Sequence, residues 1–356
     1  MINEQFDLNN NSLLFTNNNN HNDNDISYTR YVTEDTNLQV LCSPQQIDLN
    51  NIDKSFNVHD YECEFLLLKY ITETNEHKAQ MLKESEMLLT LNHKPLNLPY
   101  HHNAVSIINN GDVLNYINAS YITIPSNHMF IAAENPLTQT NINNFWSIIL
   151  NQKITFVICI SYMLSENNKT FTQYWPDNIN IKQLEFNDGN NMYYKIILKE
   201  EIDINKYKDK LNTLHSGTCI KRIFEIMPKD SDNVILTITH IHLNCWDNKA
   251  LPIQHMGFQL IVDLINQIDT HFTNTTASPI LIHCSNGAGR TGTFIAIYNI
   301  ISYLNLQKQN QIKQPIYNVF NIVRKLREER YGMVSEMHQY KYIYDFCKIW
   351  LKTYYM

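Results

Sequence analysis

The chain has 356 residues, 44% of them hydrophobic and 11% aromatic, enough to build one large buried core or two ordinary ones. Its net charge of −7 argues against a general nucleic-acid binder, and without a run of eighteen apolar residues no membrane span is expected. Seven scattered cysteines make neither a disulfide framework nor a zinc spacing, and the start lacks a secretory signal. The expectation is a soluble, cytoplasmic, reduced protein without metal or cofactor.

Residues 1–55 are polar and carry the tract NNNNHNDND at 17–25. Such a segment cannot bury enough apolar surface to offset its ordering entropy, so a disordered Asn-rich tail is expected ahead of a domain over 56–356. YECEFLLLKYI and AQMLKESEMLLTL have helical apolar spacing. NYINASYITIP, ITFVICIS, MYYKIILKEEI, RIFEIMP and VILTITHIHL read as strands. FQLIVDLINQIDTHF reads as a helix, PILIHC as a buried strand and TFIAIYNIISYL as a helix starting around Thr291. YNVFNIVRKLREER and SEMHQYKYIYDFCKIWLKTYY complete a helical C-terminus. No linker or repeat divides this stretch, so one α+β domain with a mixed sheet flanked by helices is expected.

Two compositional features stand out: 48 asparagines, consistent with an AT-biased genome, and only 8 glycines. Three of those glycines, Gly287, Gly289 and Gly292, fall within six residues, where the backbone itself is needed. They follow Cys284 at the end of PILIHC and surround Arg290. A strand, a tight glycine loop and a helix N-terminus turn successive amides into one anion-binding concavity. A cysteine at its mouth is favoured as the nucleophilic thiolate. An arginine fork closing over the same cavity can hold two phosphoryl oxygens. These parts suit attack on phosphorus through a covalent cysteinyl-phosphate. The same glycines also spell G-x-G-x-x-G, but the acid that a dinucleotide site requires about 20 residues on is missing, with none before Glu328. Cys63, Cys159, Cys219 and Cys347 read as ordinary buried thiols. His101 and His102, which lack a partner cluster, read as surface or loop residues.

The string His283-Cys284-Ser285-Asn286-Gly287-Ala288-Gly289-Arg290-Thr291-Gly292 closely resembles the signature loop of the protein tyrosine phosphatases. The family usually has a small residue where Asn286 stands. Further stretches resemble the family in order across roughly 60–350. They are Asn115–Ser120 (NYINAS), Asn135 to Trp146, Gln173-Tyr174-Trp175-Pro176, and Arg330-Tyr331-Gly332-Met333-Val334 with Gln339-Tyr340. The resemblance implies a single tyrosine-phosphatase-like domain around a central mixed, twisted sheet, acting on phosphotyrosine-containing proteins. It implies Cys284 as nucleophile, Arg290 as phosphoryl clamp, and Ser285, Asn286, Gly287, Ala288 and Gly289 as phosphate-binding backbone. It also implies that Tyr174 hydrogen-bonds His283, that Thr291 eases departure of the thiolate, and that Gln339 positions water.

The same resemblance exposes departures. Trp175-Pro176-Asp177 belongs to the structural QYWP segment, far upstream of the cysteine. The family's acid loop aligns instead with Asn244 to Pro252, anchored by Trp246 and Pro252. Asp247 then falls where the family has proline and Asn248 where it has the general acid, with Asp247 able to serve if the loop slides by one position. An asparagine is a poor proton donor, and general-acid catalysis contributes about 10²–10⁴-fold. In the recognition loop, Lys94 replaces the aromatic residue that stacks on the substrate ring, and Leu96 replaces the acid that holds the substrate backbone. Ser335 and Glu336 stand where Gln-Thr is usual. Three expectations follow: a tyrosine phosphatase of impaired turnover, a pseudophosphatase that binds and shields phosphotyrosine proteins, or a phosphatase retuned by Lys94 to another phosphate ester.

Overall fold

In the computed structural model, the residues described are 45–46, 48–49, 52, 61–74, 76, 78, 97–109, 112–123, 128–161, 171–177, 179, 184–188, 192–204, 218–246, 255–274 and 278–355. The 17–25 tract and the helix expected over 79–91 lie outside them. In chain order the elements are β1 (Gln45–Gln46), α1 (Tyr61–Thr72), β2 (Ala104–Asn109), β3 (Asp112–Thr123), β4 (Met129–Glu134), α2 (Gln139–Asn151) and β5 (Phe156–Ile160). β6 (Leu184–Asn187), β7 (Tyr193–Asp203), β8 (Thr218–Pro228), β9 (Leu236–Asn244), α3 (His255–Asn274) and β10 (Ile280–Cys284) follow. The chain continues through α4 (Gly289–Gln309), β11 (Ile316–Tyr317), α5 (Val319–Glu329) and α6 (Met337–Trp350), and closes on a π-helical turn, Leu351–Tyr355.

Nine strands form one sheet in the order β2-β3-β4-β10-β5-β9-β8-β7-β6. Its centre is parallel (β4, β10, β5, β9) and its flanks are antiparallel, as expected for a mixed sheet. The central strands are apolar on both faces because both faces are covered. Ile280, Ile282 and Cys284 of β10 join the core under α3, α4, α5 and α6, while Leu281 joins the core under α2. α2 starts from a reciprocal capping box between Thr138 and Asn141, which fixes its entry from β4. β10 is thus buried at the middle of the sheet and delivers its last residue, Cys284, to the sheet's C-terminal edge. Crevices at the carboxyl ends of parallel strands are where such sheets bind ligands.

Ahead of the boundary expected at 55/56, β1 pairs with β11 and Ile52 is buried in the main core. Two expectations change. Cys63 is exposed, not buried. α1 turns Glu64, Phe65 and Leu68 inward, and Cys63 falls on the outer face. α4 begins at Gly289 rather than near Thr291. Among the described residues no helix is long and apolar enough to cross a membrane. His101 and His102 lie exposed in a turn, as expected.

Two polar contacts seat the C-terminal helices. The buried Glu64 carboxylate accepts from the hydroxyls of Tyr340 and Tyr344, both at 2.8 Å, and so ties α1 to α6. Glu329, at the end of α5, accepts from the backbone N–H of Thr123 (3.0 Å) and from its hydroxyl (2.6 Å), tying α5 to β3. Burial, followed by the nearby Glu328 charge, pushes the Glu329 carboxyl up from 4.5 to about 7 against the opposing hydrogen bonds of Thr123. A carboxyl that holds its proton more tightly folded than unfolded stabilises the fold fully below its unfolded value and loses that contribution as pH rises through its folded value. Between pH 4.5 and about 7, wild type should therefore lose stability relative to Glu329→Gln. Urea unfolding of both proteins across that window checks it, and parallel pH profiles would contradict it.

Candidate active site

Between β10 and α4 the chain turns through Ser285, Asn286, Gly287 and Ala288. Every carbonyl of this turn is bonded from outside it. Ser285 O accepts from Asn135 N (3.2 Å). Asn286 O and Gly287 O accept from the Arg330 guanidinium (3.2 and 2.8 Å). Ala288 O accepts from Gly292 N and Val334 N (2.8 and 3.3 Å). With its carbonyls held outward, the turn has its amides left for the concavity, as in an anion-binding nest. Gly287 is required here: its φ is +68°, and a Cβ would fall 2.3 Å from Ala133 O on the neighbouring strand. A Cβ on Gly289 would meet Ser335 Oγ at 2.5 Å, so the segment before α6 closes directly on the loop.

Cys284 lies at the base of this turn, 1% exposed. The Arg290 side chain, 2% exposed, donates to Oγ of the adjacent Ser285 (2.7 Å) and to Trp246 O (3.0 Å). Trp246 is buried at the end of the chain leading out of β9. The Asn286 side chain also turns inward. Its Oδ1 accepts from Ala288 N (3.2 Å) and from Cys284 Sγ (3.7 Å).

Beneath the loop, the Tyr174 hydroxyl bridges His283 Nε2 (2.7 Å) and His240 Nε2 (2.9 Å). Burial, reinforced by the Arg290 charge, lowers His283 to about 3. Burial and then Arg222 hold His240 well below the usual histidine range. Both rings are neutral at pH 7, and a hydroxyl that donates to one must accept from the other, which fixes complementary tautomers. Cys159 offers its sulfur to the same pair, all three ligand atoms lying within 4.8 Å of one another. The group nevertheless reads as a hydrogen-bond network, since both Nε2 atoms face the hydroxyl and two arginine charges oppose a dication there. The Gln339 side chain is 3% exposed beside Gly289 and accepts from Glu336 N (3.3 Å) and Ser335 Oγ (3.5 Å). Thr291 Oγ1 is fully buried and meets no hydrogen-bond partner among the described residues.

The family model described as "Protein-tyrosine phosphatase" matches residues 89–348. The chain belongs to this family. It is 30% identical over 251 residues to human receptor-type tyrosine-protein phosphatase C, a match covering 70% of this chain and 17% of that one. It is 29% identical over 252 residues to rat tyrosine-protein phosphatase non-receptor type 20, covering 70% of this chain and 51% of that one. The chain thus spans about half, or less, of the length of these relatives. The fold is similar to that of a Trypanosoma cruzi protein tyrosine phosphatase, with a TM-score of 0.65, 20% identity, and coverage of 85% of this chain and 94% of that one.

The structure gathers Cys284, the 285–289 backbone, Arg290, Thr291, His283, Tyr174, Ser335 and Gln339 around one loop. Asp247, Asn248, Lys94 and Leu96 lie outside the described residues. Trp175 is buried under Arg222, 4.8 Å from its ring centroid, on the α2 side of the sheet, which gives the upstream Trp-Pro-Asp a structural place. Sequence reasoning missed the braces. Arg330, 0% exposed, also donates to Asn118 Oδ1 (3.0 Å) and Ser120 Oγ (3.2 Å), and Asn118 in turn donates to Glu134 Oε2 (3.0 Å) and Asn97 O (2.6 Å). Arg330 was visible only as part of the Arg-Tyr-Gly stretch, where nothing marks it as buried. Arg330→Ala strips the loop of two carbonyl partners and should cost about 3 kcal/mol or more of unfolding free energy, read by urea titration. A loss below about 1 kcal/mol would mean that the loop stands without this brace.

Proposed function

We propose that this chain is a cysteine-dependent protein-tyrosine phosphatase whose turnover is limited by the residue at the acid position. The observation that carries the reading is the loop itself: carbonyls bonded outward, Cys284 at its base, and Arg290 donating to the adjacent Ser285. In this reading the Cys284 sulfur attacks phosphorus opposite the tyrosine oxygen. An S–P bond forms as the P–O bond breaks, and the departing phenolate takes a proton. Arg290 holds two phosphoryl oxygens and follows their charge through the transition state. A water oriented by Gln339 then attacks phosphorus, releasing inorganic phosphate and the thiolate, to which the Thr291 hydroxyl, without a partner among the described residues, donates. His283 and Tyr174 touch no substrate in this scheme; they hold the strand end that carries the cysteine.

The limit lies in the first step. With Asn248 at the acid position, phenolate leaves unaided, and its conjugate acid has a pKa of about 10. Asp247 is the acid in the alternative register. A phosphotyrosine-shielding protein is the second reading, favoured by a braced cradle together with an asparagine at the acid position. Phosphotyrosine-containing proteins are the proposed partners in both, and the free thiols of the described residues suit a reducing interior.

The test is turnover of p-nitrophenyl phosphate beside a phosphotyrosine peptide, with Cys284→Ser as blank. Nitrophenolate leaves without an acid, so aryl phosphate turnover alone is the outcome expected. Asn248→Asp should then raise peptide turnover at least about tenfold, at the low end of general-acid contributions. Equal turnover of both substrates by wild type would assign the acid to Asp247. Activity surviving Cys284→Ser would end the covalent mechanism.

A further inference from the structure

We propose that Asn286 is a built-in occupant of the phosphate cradle, its side-chain carbonyl standing where one phosphoryl oxygen of a ligand binds, so that every ligand must displace it. This rests on the loop being a phosphate cradle. Asn286 Oδ1 lies 3.2 Å from Ala288 N and 3.7 Å from Cys284 Sγ. An oxygen that touches both a loop amide and the sulfur occupies the space of an oxygen on a phosphorus aligned with that sulfur. The orientation of the side-chain amide follows from chemistry, because the Ala288 N–H is a donor and the atom facing it must be the carbonyl oxygen.

The surroundings explain why a neutral amide is drawn in. All four carbonyls of the turn are bound outward, so its amides are donors seeking an acceptor. Arg290 adds positive charge over the same concavity. The Asn286 carbonyl meets part of that demand. The backbone of Asn286 is pinned through its own carbonyl to Arg330, whereas its side chain is only half-buried. Release therefore needs a side-chain rotation and no movement of the loop. The sulfur contact also suits a thiol, whose S–H can point at Oδ1, and is repulsive for the attacking thiolate. Asn286 thus opposes both ligand entry and nucleophile activation, while a smaller residue here would do neither.

The full chain is titrated calorimetrically with tungstate, an oxyanion that needs no turnover, as wild type, Asn286→Ala, Asn286→Gly and Asn286→Asp. Removing the internal acceptor frees one amide hydrogen bond, so Ala and Gly should bind about three- to tenfold more tightly. Asp keeps the acceptor and adds a like charge, and should bind at least about tenfold more weakly. Iodoacetamide should modify Cys284 faster in the Ala variant than in wild type at pH 7. A mere brace for the turn predicts the reverse for Ala and Gly, with a looser loop and weaker binding. Equal or weaker tungstate binding by both variants overturns the proposal while leaving the cradle standing. No binding by any of the four proteins removes the cradle and the proposal together.

Discussion

A loop can point its amides at an anion only if its carbonyls are bonded elsewhere, and the Arg330 guanidinium meets the largest share of that demand. It takes two consecutive carbonyls of the loop and reaches Asn118 and Ser120 on β3 with its remaining donors. Its position depends in turn on the end of α5. Arg327 holds the following turn by donating to Met333 O and Val334 O, both at 2.9 Å. Val334 sits there at φ +55°, a costly conformation for a β-branched residue. It is kept in place because its N–H completes Ala288 and its carbonyl receives Arg327. The strain lies in the turn that supplies an N–H to the loop, with the cost carried by hydrogen bonds on both sides.

The same arrangement sets the electrostatics. Arg290, Arg327 and Arg330 are all buried, and Arg222, directly opposite His240 on the neighbouring strand, adds its charge to the histidine pair. Burial next to these cations keeps His240 and His283 neutral, so neither ring takes a proton at neutral pH. Positive charge is therefore contributed by groups that do not titrate near neutrality, with Arg290 bonded to the loop at Ser285 and Arg330 braced against its carbonyls. Fixed charge of this kind needs no reorganisation when a phosphoryl group enters, which is where such sites gain most.

The parts legible in the sequence were those that repeat or punctuate. Alternation and apolar runs placed β3, β5 and β7 to β10, helical spacing placed α1 and α3 to α6, and the clustered glycines placed the loop, whereas β2, β4 and β6 carried no pattern that was read. Gly287 was legible because only glycine tolerates both its φ and its approach to Ala133. The supports were not legible. Arg330, Asn118 and Glu134 are polar residues that sequence patterning would leave in solvent, and their burial depends on partners more than a hundred residues away, as between Arg330 and Asn118. Cys63 shows the converse, since the helix was readable while the face it would bury was set by Tyr340 and Tyr344 far along the chain. The inward turn of Asn286 was also out of reach, because a rotamer leaves no trace in a sequence.

The departures from the family are not spread evenly over the site. Residues that hold the loop, such as Tyr174, His283 and Arg330, also satisfy buried polar groups of the core. Removing one leaves an unpaired donor or acceptor in the interior, at about 1–3 kcal/mol each. In the proposed reading, Asn248 and Lys94 replace residues that meet only the substrate, so such changes would affect the fold far less. Asn286 stands between the two sets, with its backbone in the brace and its side chain in the cradle. A side chain there can close the site without loosening the loop, which separates the ability to hold a phosphoryl group from the readiness to accept one. A chain built this way can lose speed while keeping its cradle, because the cradle is held by the same bonds that hold the domain together.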